Sequence, residues 1–402
     1  MQGPMRSVRQ LCLDGLDLGQ EICHWEDGAS YLYRIPLRFR GKNGTLICYS
    51  NPPVHQVGNP GLDAYLSALE DLSMDRAEMD FLLLYGANDP VHAGGDLKES
   101  LRRLETTLEH RRELEARNAP AEQIELLFKW ADDRLKKGLA LYRGMRSLAE
   151  GMRIVAVCGG GSRYGGSAEI ALMADVIVGD SRSAMCFSEA QIGLIPGWAG
   201  MGRVITKAGT GNAEAMALTA RETSSRDLLA IGIYNEVVDV SDPLPRMKNT
   251  GDRARDKQDY MEALQANDDS TGGKLLPRAF ELAVISGEHI PLPAPGQRKI
   301  LASDADIRKE VNRRKDPLQY SNSWGKTLKE AASQLETLGR PLAPQSIEAM
   351  EELMSAVDQA AFEEDAFVEK EMLADAALYR DPRLLSGIVA TLEQKVADFR
   401  EV

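Results

Sequence analysis

The segment at residues 159–166, GGGSRYGG, constrains the fold of this 402-residue chain more than any other feature. It follows the apolar run IVAVC at 154–158, which is typical of a buried strand, and it precedes an apolar helical pattern at 167–174. Glycine lets the backbone turn tightly and lets a ligand approach closely. The pattern therefore predicts a strand–turn–helix unit whose first helical N–H groups are open to a ligand.

The spacing of these glycines argues against a nucleotide-binding loop. The dinucleotide fingerprint G-x-G-x-x-G would place its last glycine at Tyr164, and no Walker A lysine follows. A different role fits better, because the N–H of Gly166 at the helix start can donate to a developing oxyanion. Gly95, in the earlier turn AGGD at 93–96, can donate in the same way.

Two glutamates stand beside glycine-rich or turn-forming sequence. Glu169 lies among apolar residues of the predicted helix, and Glu189 follows Phe187. A carboxylate pair in a dry cleft tends to share a proton, which leaves one member as an acid and the other as a base. Together with two oxyanion donors, such a pair is suited to proton transfer at the carbons next to a thioester carbonyl.

Composition and charge narrow the class of protein. A net charge of -13 argues against general nucleic-acid binding, which needs a basic field. No apolar run approaches the roughly 18 residues of a membrane span, and no signal-peptide pattern opens the sequence, so we expect a cytoplasmic protein without a membrane partner. The histidines and cysteines show no metal-ligand spacing, so we expect no metal.

The pattern of apolar residues predicts four parts of the chain. An N-terminal extension covers 1–30, and an α/β core covers 31–241, with a helical insert at about 99–150. An irregular insertion follows at 242–340, where Pro, Gly, Asp and Arg are frequent and apolar periodicity weakens. The last part, 341–402, is predicted to be helical because apolar residues recur on one stripe.

Three blocks resemble the crotonase superfamily, the enoyl-CoA hydratase/isomerase family. They are HAGGDLKE at 92–99, GGSAEIALMAD at 165–175 and FSEAQIGLIPG at 187–197, and NEVV at 235–238 and the tail GIVATLEQKVADF at 387–399 also match. The resemblance implies an α/β fold, the ClpP/crotonase-like ββα spiral with a helical C-terminal region. It also implies a homotrimer or hexamer.

The resemblance assigns roles to the residues singled out above. Gly95 and Gly166 match the two oxyanion-hole donors, and Glu169 and Glu189 match the two catalytic glutamates. Hydratases of the family hold a water between both acids and add it across the double bond of a 2-enoyl-CoA. We expect Glu189 to deliver the proton to the α carbon and Glu169 to activate the water.

Further substrate contacts follow from the resemblance alone. They are expected at Ala93, Asp96, Lys98, Gly165, Gly197, Trp198 and Lys395. Lys98 matches a lysine near the adenosine phosphates, and Lys395 is expected in the last helix. The segment NPPVHQVGN at 51–59 lacks the family's usual basic residue, for which His55 is a weak substitute. Coenzyme A is part of the substrate, and no separate cofactor is expected.

Departures from the family pattern bear on the reaction. Family hydrolases of 3-hydroxyacyl-CoA and dienoyl isomerases carry an aspartate where this chain has Gly197, which argues against both activities. Trp198 stands where hydratases usually have a small residue. A bulky ring there favours a compact, cyclic or aromatic acyl group over a long chain.

Other functions stay open. The fold also serves ring-modifying homologues, such as ring hydrolases, decarboxylases and cofactor-free oxygenases, and simple isomerases. A non-catalytic RNA-binding or scaffolding homologue is a third reading. Such RNA-binding members depend on a lysine-rich helix, whereas residues 102–117 interleave glutamate with arginine. The leading expectation is therefore a lyase of the enoyl-CoA hydratase type.

Overall fold

The computed structural model describes residues 3–400, which divide into two compact units. Unit 1 contains the chain up to Gly94, together with Ala140–Met185 and Glu222–Lys299. Unit 2 contains Gly95–Leu139, Cys186–Arg221 and the chain from Ile300 onward. The units therefore do not follow the four sequence segments, and each is built from several stretches of chain.

Twelve strands are present in the described residues. They are β1 (Leu16–Leu18), β2 (Ile22–Asp27), β3 (Ser30–Phe39), β4 (Lys42–Ser50), β5 (Phe81–Gly86), β6 (Val91–His92), β7 (Arg153–Cys158), β8 (Ser162–Tyr164), β9 (Val176–Asp180), β10 (Ala184–Cys186), β11 (Thr223–Ser224) and β12 (Glu236–Val238).

Fifteen α-helices occur in the same range. They are α1 (Pro4–Arg9), α2 (Asn59–Asp75), α3 (Leu97–Ala116), α4 (Ala121–Leu126), α5 (Lys129–Ala149), α6 (Gly166–Leu172), α7 (Gly200–Ala208), α8 (Thr210–Thr219), α9 (Ser225–Ile231), α10 (Arg253–Val284), α11 (Asp304–Lys315), α12 (Ala332–Leu338), α13 (Pro344–Ser355), α14 (Glu364–Leu378) and α15 (Arg383–Leu392).

The larger sheet of unit 1 has the order β1-β3-β4-β5-β7-β9-β12, with β2 paired to β3. Pairing is antiparallel from β1 to β4 and parallel from β4 onward. The parallel strands are the continuous apolar runs, such as FLLLYG in β5, because both faces of a parallel strand are covered. A smaller sheet has the order β11-β10-β8-β6.

Helix α10 covers one face of the larger sheet. Phe280 is fully buried, and its ring lies 5.3 Å from the ring of Phe39 and 6.3 Å from that of Phe81. The prediction of an irregular segment at 242–340 is wrong here, because α10 alone is 32 residues long. Gly272, Gly273 and Pro277 weaken the helical pattern in the sequence, but burial of the apolar face outweighs their unfavourable propensity.

The C-terminal segment of unit 2 is helical, as its apolar stripe indicates. Lys395, however, does not lie in the last helix, so that expectation is wrong. Helix α15 ends at Leu392, and Gln394 has a positive φ of 55°, which breaks the helical path. Lys395 instead forms an isolated bridge with Thr327, and its Nζ lies 2.7 Å from the carboxylate of Glu393.

None of the helices in residues 3–400 combines the length and the apolar character that crossing a bilayer requires. Within the same residues, no group of three or more His, Cys, Asp and Glu side chains is placed to hold a metal ion.

The approach of the β7–β8 connection to the residue before β6 requires glycine. A Cβ atom on Gly161 would lie 1.8 Å from the carbonyl oxygen of Pro90. Gly161→Ala should therefore lower the free energy of unfolding by about 3 kcal/mol, as overpacking does. Gly273→Ala in α10 meets nothing within 4 Å and should raise it by about 0.5–1 kcal/mol. Urea unfolding checks both, and equal effects would contradict this packing.

Asp268 on α10 links unfolding to pH. The side chain is 3% exposed, and burial followed by the charge of Asp89 raises its pKa from 3.8 to about 7, although hydrogen bonds from Asn88 oppose the shift. The folded protein thus keeps this proton to higher pH than the unfolded chain. Its contribution is full below about pH 4 and is lost as the pH rises through about 7.

Asp268→Asn should remove this dependence, because an amide does not ionise and its oxygen can still accept from Asn88. Above about pH 8, the free energy of unfolding of the variant should exceed that of the wild type by on the order of 3 kcal/mol. The difference should be smaller near pH 4. Urea unfolding across this range measures the difference. Parallel pH profiles for the two proteins would show that folding does not raise the pKa of Asp268.

Candidate active site

The two glycine turns begin from paired strands in unit 1. Strands β6 and β8 run parallel, with His92 opposite Arg163. The pairing brings Gly94 against the start of α6, where a Cβ on Gly94 would lie 2.8 Å from the nitrogen of Gly166. The Ser167 hydroxyl donates to the carbonyl of Ala93. The turn after β6 is therefore joined directly to the turn after β8.

Gly166 is the first residue of α6, so its N–H has no acceptor within the helix. Gly165 precedes it with φ 47°, a conformation that favours glycine. Glu169 lies one turn into the helix and is 3% exposed. Unit 1 thus brings Ala93, Gly165, Gly166 and Glu169 into one small region.

In unit 2, Gly95 leads into helix α3. The carboxylate of Asp96 caps this helix and accepts hydrogen bonds from the N–H groups of Lys98 and Glu99, both at 3.0 Å. Lys98 itself is exposed at the start of the helix. Asp96 therefore has a structural role as the cap, and the Lys98 side chain is open to solvent.

Arg134 is a residue that the sequence interpretation missed. It is 4% exposed, and its Nη2 would lie 2.3 Å from a Cβ on Gly95. Its Nη1 donates to the hydroxyl of Ser100 at 3.0 Å. The available signal was an arginine on the apolar stripe of the helical insert, beside Trp130 and Leu135.

Trp198 packs inside unit 2. It is 5% exposed, and the guanidinium carbon of Arg134 lies 5.8 Å from the centre of its ring. A Cβ on Gly138 would lie 2.1 Å from the ring, so only glycine permits this contact. Trp198 is therefore held by α5 and positioned beside Arg134, which in turn lies against Gly95.

Glu189 begins a short turn of 3₁₀ helix at Glu189–Gln191 and is 8% exposed. Its carbonyl accepts from the N–H groups of Ile192, Gly193 and Leu194 at 2.9, 3.1 and 3.1 Å. These bonds fix the backbone of Glu189 within unit 2. The side chain is therefore carried on a rigid turn.

Two buried acids of α14 hold the following segment, and the sequence interpretation did not identify them. Asp375 accepts from the N–H of Ile195 at 3.0 Å, and its Oδ2 would lie 2.6 Å from a Cβ on Gly197. Glu371 accepts from the N–H groups of Met201 and Gly202 at 3.2 and 3.1 Å. Carboxylates on the apolar stripe of α14 were the available signal. A carboxylate is thus present at Gly197, although it comes from another part of the chain.

A buried polar cluster lies beneath the turns in unit 1. His55 is 4% exposed, and its Nδ1 accepts from the N–H of Asn51 at 3.1 Å, which leaves Nε2–H to donate to Asp89 at 2.6 Å. His55 is therefore occupied and does not serve as a free basic residue. The pKa of His92 lies well below its usual value because of burial, with Arg163 and His55 adding to the shift.

Part of the chain is similar to known sequences. The family model described as Enoyl-CoA hydratase/isomerase matches residues 133–251. The chain is 28% identical over 141 residues to the fatty acid oxidation complex subunit alpha of Idiomarina loihiensis, covering 33% of this chain and 20% of that protein. It is 26% identical over 116 residues to the carnitinyl-CoA dehydratase of Proteus mirabilis, covering 29% and 44%. The chain thus spans less than half of either relative.

A comparison of structures supports the fold. An enoyl-CoA hydratase from Rhodobacter sphaeroides 2.4.1 superposes with a TM-score of 0.50 at 17% identity, covering 87% of each chain. The predicted α/β crotonase-type fold, with its C-terminal helices, is confirmed. Residues 133–251 are thus similar to the enoyl-CoA hydratase/isomerase family, and the residues that the structure describes have a crotonase-type fold.

Proposed function

We propose that this protein is an acyl-CoA enzyme that adds water to, or removes it from, an enoyl-CoA. The observation that carries the proposal is the packing of the Ala93–Gly94 turn on Gly166, at the start of the helix that bears buried Glu169. This packing supports the proposal because one rigid helix, α6, then carries both the N–H donor of Gly166 and the proton-transfer group of Glu169. The matched relatives include a dehydratase and a short-chain-enoyl-CoA hydratase.

In this proposal the N–H groups of Gly95 and Gly166 bind the thioester oxygen. Negative charge builds on that oxygen as the enolate forms, so fixed donors stabilise the transition state more than the ground state. One such donor contributes about 10²–10³ in rate. Glycine at both positions suits this role, because no side chain blocks the approach of the thioester.

Glu169 activates the water that attacks the β carbon, and Glu189 delivers the proton to the α carbon. Both side chains are shielded from bulk solvent, at 3% and 8% exposure. Shielding supports proton transfer because a carboxylate with little solvation gains more from each contact with a substrate or water. The reverse reaction, dehydration, uses the same two groups with their roles exchanged.

We further propose a compact, cyclic or aromatic acyl group. Its support is the fixed position of Trp198, which α5 holds beside Arg134. For coenzyme A, the proposed contacts are exposed Lys98 and the backbone near Ala93, Asp96, Gly165 and Gly197. His55 is not among them because it is buried and bound to Asp89. The homotrimer or hexamer, the cytoplasmic location and a role for Lys395 stay predictions.

A second candidate is isomerisation or hydrolysis of the acyl-CoA. Its support is Asp375, whose carboxylate lies at Gly197, the position at which family isomerases and hydrolases carry an aspartate. The absence of an aspartate at position 197 itself therefore does not exclude these reactions, because Asp375 supplies a carboxylate there. Analysis of the product distinguishes hydration from ring hydrolysis, decarboxylation and cofactor-free oxygenation. A non-catalytic role would give no product.

Replacement of either acid tests the hydratase mechanism. Glu169→Gln and Glu189→Gln keep side-chain shape but remove the titrating group, so each should lower hydration of the best enoyl-CoA roughly 10²–10⁴-fold. Binding of coenzyme A should change little. Mass spectrometry after incubation with a panel of linear, cyclic and aromatic enoyl-CoAs identifies the substrate and the product. Steady-state assays with that substrate then give kcat/KM for each variant.

The matched control is Glu105→Gln on the exposed face of α3, which should keep full activity. Turnover that is unchanged in both active-site variants would rule out the two-acid mechanism. If only Glu189→Gln loses activity and the product is a shifted double bond, the isomerase candidate replaces the hydratase.

A further inference from the structure

A cavity of about 60 Å³ lies inside unit 1, beneath the joined turns. Its walls include Tyr49, His55, Tyr65, His92, Cys158 and Arg163. A single water needs roughly 10–15 Å³ on this scale, so the cavity has room for a molecule of three or four heavy atoms. Aliphatic side chains, among them Val57, Leu84 and Ile170, form much of the remaining wall. The polar atoms on the wall that have no partner within the protein need an occupant that forms hydrogen bonds.

Arg163 places a positive charge in this cavity. The residue is 8% exposed, and its Nη2 makes long contacts with the carbonyl oxygens of Val157 and Gly159, at 3.5 and 3.4 Å. Its side chain also forms a hydrogen bond with Cys158. Within residues 3–400 its Nε has no hydrogen-bond acceptor. A guanidinium always carries its charge, so a buried one without a carboxylate is costly.

Within residues 3–400, neither Asp89 nor Asp180 forms a salt bridge with Arg163. Asp89 accepts a hydrogen bond from His55 at 2.6 Å, and Asp180 is paired with Arg182 at 2.7 Å. Burial raises the pKa of the Cys158 thiol, although Arg163 opposes the shift, so the thiol stays protonated at neutral pH. The positive charge in the cavity therefore lacks a close counter-ion from these side chains.

His92 faces Arg163 across the parallel pairing of β6 and β8. It is 2% exposed, and within residues 3–400 its Nε2 has no hydrogen-bond partner. Its ring lies 5.4 Å from that of His55. Two unsatisfied nitrogens, one on each strand, thus lie at the same small cavity.

We propose that this cavity is a binding site for a small planar oxyanion, of the size of formate or hydrogencarbonate, held between Arg163 and His92. The planar guanidinium matches two oxygens of either anion. In hydrogencarbonate the third oxygen carries a proton that it can donate to Nε2 of His92, whereas formate has no third oxygen and binds through the guanidinium. The bound anion neutralises Arg163. It also joins the two strands that lead to the glycine turns, so its effect is to stabilise both turns.

The site is independent of the proposed thioester chemistry, and its test uses stability of the full chain. Sodium formate or sodium hydrogencarbonate, exchanged for sodium chloride at constant ionic strength, should raise the Tm by about 2–4 °C. Arg163→Met should abolish the rise. Arg226→Met, an exposed arginine in the same unit, should keep it in full.

Two further measurements keep the test decisive if Arg163→Met folds poorly. Arg163→Lys retains the charge without the planar fork and should show a smaller rise than the wild type. Saturation-transfer NMR with the wild type should show that the formate proton contacts the protein. Added hydrogencarbonate should displace formate and remove this signal. No rise in the wild type, an equal rise in Arg163→Met, or a crystal structure grown in formate with only water in the cavity would overturn the proposal.

Discussion

The parallel pairing of β6 with β8 is the constraint on which the rest of the site depends. Both strands are very short, and each ends directly at a glycine turn. Because the strands run side by side, the two turns leave the sheet together, and Gly94 lies against the nitrogen of Gly166. The contact leaves no space for a side chain on Gly94. A helix start is thereby fixed against a neighbouring turn without any long secondary structure.

The same pairing explains why a polar cluster lies beneath the turns. Strands that approach a glycine turn from within the core would normally present apolar side chains inward. Here the facing residues are His92 and Arg163, and the next layer contains His55 bound to Asp89. A buried network of this kind is costly unless it is satisfied, and it then favours one arrangement of the backbone. The chemistry proposed at the turns and the occupant proposed below them thus depend on one piece of backbone geometry.

Much of the fold was predictable because its strands are continuous apolar runs bounded by glycine. The run at β7 and the glycine turn before α6 were recognised from residue type alone. The buried charges were not, because Arg134, Glu371 and Asp375 lie on helices that also carry exposed charges. Helix α10 was missed since Gly272, Gly273 and Pro277 mask its pattern, and only the packing of Phe280 on the sheet shows why it forms. The end of α15 before Lys395 depends on a backbone conformation at Gln394 that residue type does not indicate.

The central claim is that a helix N–H at Gly166 stabilises charge on a thioester oxygen. Proline is tolerated at the first position of a helix, so Gly166→Pro removes this donor, and Gly166→Ala adds a Cβ but keeps the N–H. The decisive measurement is kcat/KM of the two variants for one acyl-CoA. It is made at a temperature below the Tm of both variants, so that both are folded. The account predicts that the proline variant is slower than the alanine variant by roughly 10²–10³-fold. Equal kcat/KM values in the two folded variants would contradict it.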